Sequence, residues 1–483
     1  MTFALIRRLD EHARLRPDAL ALREVAESGA ERTLSWRQLR DAAFRLAARL
    51  RRAPTGVVMI CSPNRAEFVA ALLGGLAADA PVLPVSPAAP AAELVDLSRR
   101  LSVSTLIGSG AALDALSECV AHRIPLDSIE LDGRAPPAAP PEGSGSILLQ
   151  SSGTTGLPKI VRRGAAALDA VGDACRAAIG IDESDAMLVC IPLHHSYGID
   201  QGVLTATSAG CSVELHPGFD PARASAALAE RRISVLPGVP LMFDALARRS
   251  RADASAPALR RAFSAGSPLP RRVFERFART YGLALGQIYG ATEFGSVTWN
   301  DPECAGFDPE GVGQPMQGVR IRIVDPHEPR LDRPLAAGEE GRVAVAAPSL
   351  LSEYLDGPDC PTHDGFFLSE DLGRLDERGS LALTGRTKLL VDVGGRKVNP
   401  LEVESVLARH PAVREAVAVA VPYTDTARRL KVIVVPEPGF EVSGEELRRF
   451  AREHLTPYKV PRTFEIRKTV PRSPTGKILR REL

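Results

Sequence analysis

Between Ser151 and Lys159 the chain reads Ser-Ser-Gly-Thr-Thr-Gly-Leu-Pro-Lys, four hydroxyls and two glycines closed by a proline and an ammonium. Glycines let a backbone approach a bulky anion closely, and the hydroxyls and turn N–H groups donate to it. Lys159 adds a point charge and Pro158 stiffens the exit from the turn. This is the chemistry of a phosphate cradle. It is not the Walker loop, which needs G-x-x-x-x-G-K-[ST] opening a helix, because the lysine lies three residues past the last glycine. A plain Ser/Gly/Thr surface turn has the same composition, so the stretch gains meaning only from what accompanies it.

Three further loops accompany it: His194-His195-Ser196-Tyr197-Gly198, Ala265-Gly266-Ser267-Pro268 and Tyr289-Gly290-Ala291-Thr292-Glu293. Each follows an apolar run that reads as a strand, over 186–191, 260–264 and 283–289, as Ile147-Leu148-Leu149 does before Ser151. Ligands in open α/β sheets collect at the carboxyl ends of strands, so the four loops predict one cleft. Upstream, Ser35 is a fitting N-cap for a helix over 37–52, and strands over 56–61 and 80–85 flank a helix over 66–78. Strands alternating with helices predict a largely parallel sheet covered on both faces. The Pro/Gly/Ser-rich stretch 134–146 reads as an exposed linker within a domain.

From about Gly311 the texture changes: 319–324 and 341–346 alternate as β ribbons. After Gly385 come a helix over 401–409, strands over 417–421 and 430–435, and a helix over 443–455 opened by a Ser443/Glu446 capping box. The expected fold class is α/β: a large N-terminal domain, 1–385, of α/β sheet subdomains plus a small β-rich subdomain, then a small α+β domain, 386–483.

A chain of 483 residues is too long for one ordinary core. Its 45% apolar and 25% charged residues are those of a globular protein, and a net charge of +1 predicts neither nucleic acid nor an anionic membrane as partner. The N-terminus turns polar within a few residues and no apolar run could span a bilayer, so neither a signal peptide nor a transmembrane segment is expected. Seven cysteines without paired spacing argue against disulfides or a zinc site and for a reducing, cytoplasmic location. Only seven of the 60 basic residues are lysine, and Lys159 alone precedes Lys388. So strong an arginine bias points to lysine being kept where a slim ammonium is required.

Ser151–Lys159 resembles the phosphate-binding signature of the adenylate-forming superfamily of acyl- and aryl-CoA synthetases, stand-alone adenylation enzymes and luciferases. The later blocks are similar to that family's other motifs in order and spacing: YGATE at 289–293, SED at 369–371, GRTK at 385–388, GGRKVNPLEVE at 394–404 and PRSPTGKILR at 471–480. The resemblance implies a reaction that drives a carboxylate against ATP, where positive charge and N–H donors must gather. It implies that Ser151, Ser152, Gly153, Thr154, Thr155, Gly156 and Lys159 hold the β- and γ-phosphates, that Thr292 donates to the α-phosphate, and that Glu293 holds Mg2+. Tyr289 would stack on adenine, with Gly266, Ser267 and Pro268 on its other side and Gly290 and Ala291 completing the nucleotide site. Asp371 would accept the ribose hydroxyls beside Arg386. Taken alone, Glu293 reads as a solvated turn acid and Asp371 as an N-cap. The common ribose motif is TGD, so Ser369-Glu370-Asp371 predicts a different local turn.

The same resemblance makes Lys477 the mobile cation between substrate carboxylate and α-phosphate. Lys388 would be the hinge on which the small domain turns, exchanging Lys477 for Gly394 and Gly395, the entrance for a pantetheine arm. His195 would face the reacting carboxylate, with Ser196, Tyr197, Gly198, Gly266 and Gly290 lining the acyl pocket. Asp200, also beside that pocket, is expected to face water rather than recognise an amine. A free amino-acid substrate would want a carboxylate where Ser196 stands, and the GGRKVNPLEVE block is similar to aryl-CoA ligases. The implied activity is therefore ATP-dependent ligation of an aryl or short- to medium-chain acid to coenzyme A. The alternatives are a stand-alone adenylation enzyme loading the phosphopantetheine of a separate carrier protein, a luciferase-like oxidation, and a non-catalytic homologue, against which Lys159, Glu293 and Lys477 count.

Overall fold

Wholly apolar strands set the frame. Every residue of Val57–Cys61 is buried, as a parallel strand covered on both faces must be. It pairs in parallel with Pro81–Val85 and Val103–Gly108 (Val58 opposite Val82, Met59 opposite Leu106). The computed structural model describes residues 3–133, 145–151, 159–248, 255–355, 362–393, 396–422, 428–473, 476 and 478–483. Of the residues singled out above, Ser152, Gly153, Thr154, Thr155, Gly156, Pro158, Gly394, Gly395 and Lys477 lie outside these, as does the side chain of Lys388.

Among the described residues two large sheets carry the N-terminal part. The seven-stranded sheet runs Glu353–Tyr354, Lys159–Gly164, Ser146–Ser151, Pro81–Val85, Val57–Cys61, Val103–Gly108, His122–Pro125. The nine-stranded sheet runs Gln314–Pro315, Gly295–Asn300, Gly286–Ala291, Arg261–Ser264, Val235–Gly238, Ala186–Val189, Ser212–Leu215, Leu20–Val25, Glu31–Ser35. A five-stranded antiparallel sheet follows, with Ile321 opposite Val345 and the long strand Phe366–Leu375 pairing Leu381–Arg386. The last part holds a three-stranded sheet of Val413–Pro422, Arg428–Pro436 and Thr463–Ile466, with the helices Pro400–Leu407 and Gly444–His454.

Several local expectations change. Ser146 is already a buried strand residue that accepts from Arg162 Nε (3.2 Å), so it is no part of a linker. Ser151 pairs antiparallel with Lys159, and Tyr289 with Thr298. Two of the four loops therefore lie between antiparallel strands rather than between a strand and a helix; short loops between apolar runs suit either geometry. The helix over 36–50 opens with a full capping box of Ser35 and Gln38. At Ser443, where a box is expected, the side chain accepts from the Glu446 N–H (3.1 Å), while the Glu446 carboxylate turns to His410 (3.4 Å).

One apolar core runs through both large sheets and a second lies on the far side of the seven-stranded sheet. The C-terminal part has apolar cores of its own, built on Val403, Leu407, Val432 and Leu447 and on Val417, Ile433 and Val470. Its junction with the larger part is polar. Arg276 bridges Asp244 (2.9 Å) and Glu437 (3.0 Å), Arg248 does the same at 2.9 and 3.0 Å, and Arg414 reaches Asp244 (3.6 Å). The Arg272 guanidinium donates to the Val413 carbonyl, and Asn399 Nδ2 to the Thr384 carbonyl (2.6 Å).

Glu437 is the C-terminal carboxylate that receives two arginines of the larger part. Glu437→Gln is expected to loosen the junction, raising the rate of limited proteolysis near residue 390 by about three- to tenfold. High salt should produce the same change in the unaltered protein, because partly exposed ion pairs are screened. Unchanged cleavage in both tests would show that the ion cluster does not hold the two parts together.

Candidate active site

The loop after Arg261–Ser264 stands open to solvent: Gly266, Ser267 and Pro268 are all exposed. Gly266 sits at φ +83°, and a Cβ there would meet only a Val239 methyl at 3.8 Å, so bare backbone faces the opening. The next strand, Gly286–Ala291, runs into a tight turn at Thr292–Phe294, and a Cβ at Gly290 would lie 2.4 Å from the Gly295 carbonyl oxygen. Glycine is required there by close approach.

Two polar groupings converge on these turns. In the first, the buried Tyr289 hydroxyl donates to Asp371 Oδ2 (2.7 Å) and Arg386 Nε lies 2.8 Å from Asp371 Oδ1. Burial and the Asp371 charge push the Tyr289 phenol well above its ordinary range, so it stays a donor. The Tyr289 ring is tilted against Phe294, centroids 5.6 Å apart. Asp371 lies within the Phe366–Leu375 strand, not at a helix start or in a turn. The altered ribose motif is thus extended chain: Ser369 Oγ accepts from the Asp371 N–H (3.1 Å), and Glu370 takes the Thr387 hydroxyl (2.6 Å).

In the second, Lys159 Nζ lies over the Tyr354 ring (4.6 Å) and the Tyr354 hydroxyl donates to Glu293 Oε1 (3.1 Å). Tyr354 thereby joins the first loop's cation to the acid of the fourth. Neither its type nor its spacing singled it out, since its partners are distant in sequence and only the pairing of Tyr354 with Val161 brings it there. Asn64 was equally invisible: buried, it donates to the Ile191 and His216 carbonyls (2.9 and 3.1 Å) and accepts from the Leu193 N–H (2.8 Å), fixing the approach to His194 and His195.

The two histidine rings lie 4.4 Å apart. Burial lowers the His195 pKa to about 4; burial, then the neighbouring His195, lowers that of His194 to about 3. Both are neutral imidazoles near pH 7, and among the described residues neither Nε2 has a partner. Ser196 opens a short helix and Gly198 is buried, where a Cβ would meet the Pro192 carbonyl oxygen at 2.1 Å. The Tyr197 hydroxyl reaches the Phe263 carbonyl (3.4 Å). Asp200 corrects the expectation that it faces water. It is 1% exposed and paired with Arg163, itself 0% exposed, at 2.9 Å. An acid at a helix start reads as solvated unless its distant cation is known.

Gly476 lies at the same place. A Cβ at Gly476 would lie 3.5 Å from a Val239 methyl, the residue that borders Gly266. No group of three or more His, Cys, Asp or Glu able to hold a metal occurs among the described residues. The site offers a few convergent donors, two carboxylates and two cations near open glycine backbone, a setting for a polyanion.

Residues 9–355 match the model of the AMP-binding enzyme family and residues 402–477 that of the AMP-binding enzyme C-terminal domain. The chain belongs to the AMP-binding enzyme family. Among relatives of this AMP-binding enzyme, a feruloyl-CoA synthase from Amycolatopsis sp. is 28% identical, covering 98% of this chain and 96% of its own. A Mycobacterium tuberculosis ligase, 3-[(3aS,4S,7aS)-7a-methyl-1,5-dioxo-octahydro-1H-inden-4-yl]propanoyl:CoA ligase, is 30% identical over 98% of this chain and 97% of its own. ATP-bound MatB from Rhodopseudomonas palustris shares the fold, with a TM-score of 0.88 at 23% identity over 100% of this chain and 98% of its own. This AMP-binding enzyme is an AMP-forming acid–thiol ligase. No helix among its described residues is long and apolar enough to cross a membrane.

The lowered histidine pKa values set a pH dependence. An unfolded imidazole takes its proton near pH 6.5, whereas the buried pair resists until about pH 4 and 3. The pair's contribution is complete above about pH 6.5 and is lost as pH falls towards 4, because the unfolded chain then binds more protons. The melting temperature should fall over that window, and His195→Gln should flatten the slope. A variant with an unchanged slope would show that His195 does not titrate as described.

Proposed function

We propose that the protein activates an aryl or short- to medium-chain carboxylic acid as its acyl-adenylate, releasing pyrophosphate, and then transfers the acyl group to the thiol of coenzyme A. The observation that carries this reading is the convergence of Asp371, Tyr289 and Arg386 with Lys159, Tyr354 and Glu293 around the open Gly266–Pro268 backbone. The two relatives above, whose names specify ring-bearing acids and coenzyme A, support the acid class and the acceptor.

The donor set fits a nucleotide. Asp371, braced on both oxygens, is preorganised to accept the ribose diol, with Arg386 alongside. Tyr289 and the exposed Gly266–Pro268 backbone would bracket the adenine. Lys159, with Ser151 and the residues up to Gly156, would bind the β- and γ-phosphates, and Thr292 the α-phosphate. Glu293 would hold Mg2+, whose charge offsets that of the phosphates, while Tyr354 steadies its other oxygen. His195, kept neutral by burial, would sit by the substrate carboxylate without adding a competing charge. Lys477 would bring the cation that lets carboxylate and α-phosphate approach. The small domain, from residue 386, would then turn about Lys388 so that Gly394 and Gly395 admit the pantetheine arm. The cysteines described are free thiols, in keeping with a cytoplasmic enzyme.

Incubation with a panel of acids, ATP, Mg2+ and either coenzyme A or a phosphopantetheinylated carrier protein tests the reading. Saturation by coenzyme A below about 1 mM, within the usual enzyme range, is expected; an apparent KM far above it would transfer the role of acceptor to the carrier protein. Lys477→Ala should lower acid-dependent pyrophosphate release by about a hundredfold or more, since a transition-state charge contact is lost. Thioester formation from pre-made acyl-adenylate should barely change. Equal losses in both steps would reject the role given to Lys477.

A further inference from the structure

Arg163 is the most deeply buried cation among the described residues and stands on the strand that begins with Lys159. Its Nη1 donates to Asp200 Oδ1 (2.9 Å) and to Ser196 Oγ (3.2 Å). Ser296 Oγ, opposite Gly290 across the hairpin, reaches Asp200 Oδ2 (3.4 Å), and Gln201 Nε2 reaches Ser296 Oγ (3.4 Å). Asp200 and Gln201 open a π-helical segment, Asp200–Thr205, a backbone form that recurs at functional sites. Among the described residues the network is unfinished: Nε and Nη2 of Arg163 and Oε1 of Gln201, all buried, have no partner.

A buried ion pair is poor value for stability, because desolvation offsets most of its attraction, and unmet buried donors add to the cost. Such a cluster calls for a reason other than folding. Ser196 is only partly buried and accepts from Arg163, so a molecule touching Ser196 lies one hydrogen bond from the guanidinium. We propose that Arg163, Asp200 and Gln201 form a specificity-determining polar floor to the acid pocket, selecting acids whose far end carries an oxygen and rejecting plain hydrocarbon tails. A hydroxyl matches the unmet set, since it accepts from Arg163 and donates to Gln201. This rests on the reading of His195–Gly198 as the wall of the acid pocket.

The test compares matched acids, benzoate with 4-hydroxybenzoate and hexanoate with 6-hydroxyhexanoate, by the kcat/KM of pyrophosphate release. The unaltered enzyme should favour one or both oxygenated members by about tenfold or more, since buried polar groups left unpaired penalise the analogue. In the double variant Arg163→Met with Asp200→Leu, an apolar replacement of the kind that buried pairs tolerate, that preference should vanish or reverse, with the change in the KM for the acid and the KM for ATP within about twofold. Asp200→Asn supplies a second reading: with the guanidinium unneutralised, adipate should gain on 6-hydroxyhexanoate by about tenfold. Equal turnover of matched acids, or a ranking unmoved in a folded variant, would overturn the proposal and leave the network filled by ordered water. Absence of pyrophosphate release with every acid would overturn the adenylation reading itself, and this inference with it, a result distinct from equal turnover.

Discussion

The Asp371 carboxylate is the tie on which the site depends. One oxygen takes the Tyr289 hydroxyl from the nine-stranded sheet and the other the Arg386 guanidinium. Asp371 itself belongs to the five-stranded sheet, and Arg386 is the last residue of its partner strand before the C-terminal part. Two sheets with separate hydrogen-bond ladders, the nine-stranded one through Tyr289 and the five-stranded one that holds both Asp371 and Arg386, therefore meet at two charge-assisted contacts, each stronger than a neutral hydrogen bond. Without them the sheets would still form, but the strand end at Tyr289 and the turn after it would not be held to a defined place against the Phe366–Leu375 strand.

The electrostatics divide into an open half and a closed half. At the opening, Lys159, Glu293, Asp371 and Arg386 remain partly accessible, so their charges can be spent on a ligand. Behind it, His194 and His195 are kept neutral by burial and Arg163 is matched to Asp200. This separation keeps uncompensated charge away from the apolar core and concentrates it where an anion would arrive.

Much of this was legible because period and spacing are local properties. The alternating strands and helices, the four loops and the order of the motifs all follow from neighbours in the chain. The antiparallel return after Ser151, the extended course of Ser369–Asp371 and the burial of Asp200 were not, since each is decided by a partner strand or a cation far away in sequence. Tyr354 and Asn64 escaped notice for the same reason. The rarity of lysine was a partial guide: Lys159 does sit at the site, but Lys431 and Lys459 form ordinary ion pairs with Glu465 and Glu402, each at 2.6 Å. The motif residues carried a strong signal because their types, order and spacing match the family's blocks, whereas the stretch from His194 to Gln201 is built from side chains whose spacing answers to no such template.

The separate apolar cores of the C-terminal part bear on how the molecule comes apart. Its interior of Val403, Leu407, Val432 and Leu447 shares no residue with the core of the large sheets, and arginines and carboxylates make the junction. Cooperativity in unfolding comes from shared burial, and a polar junction transmits little of it. The chain is thus expected to melt as at least two units, in which case no single free energy of unfolding describes it. Heat absorption and denaturant curves for the whole chain are composites, to be apportioned between the units before any mutational effect is assigned to a residue.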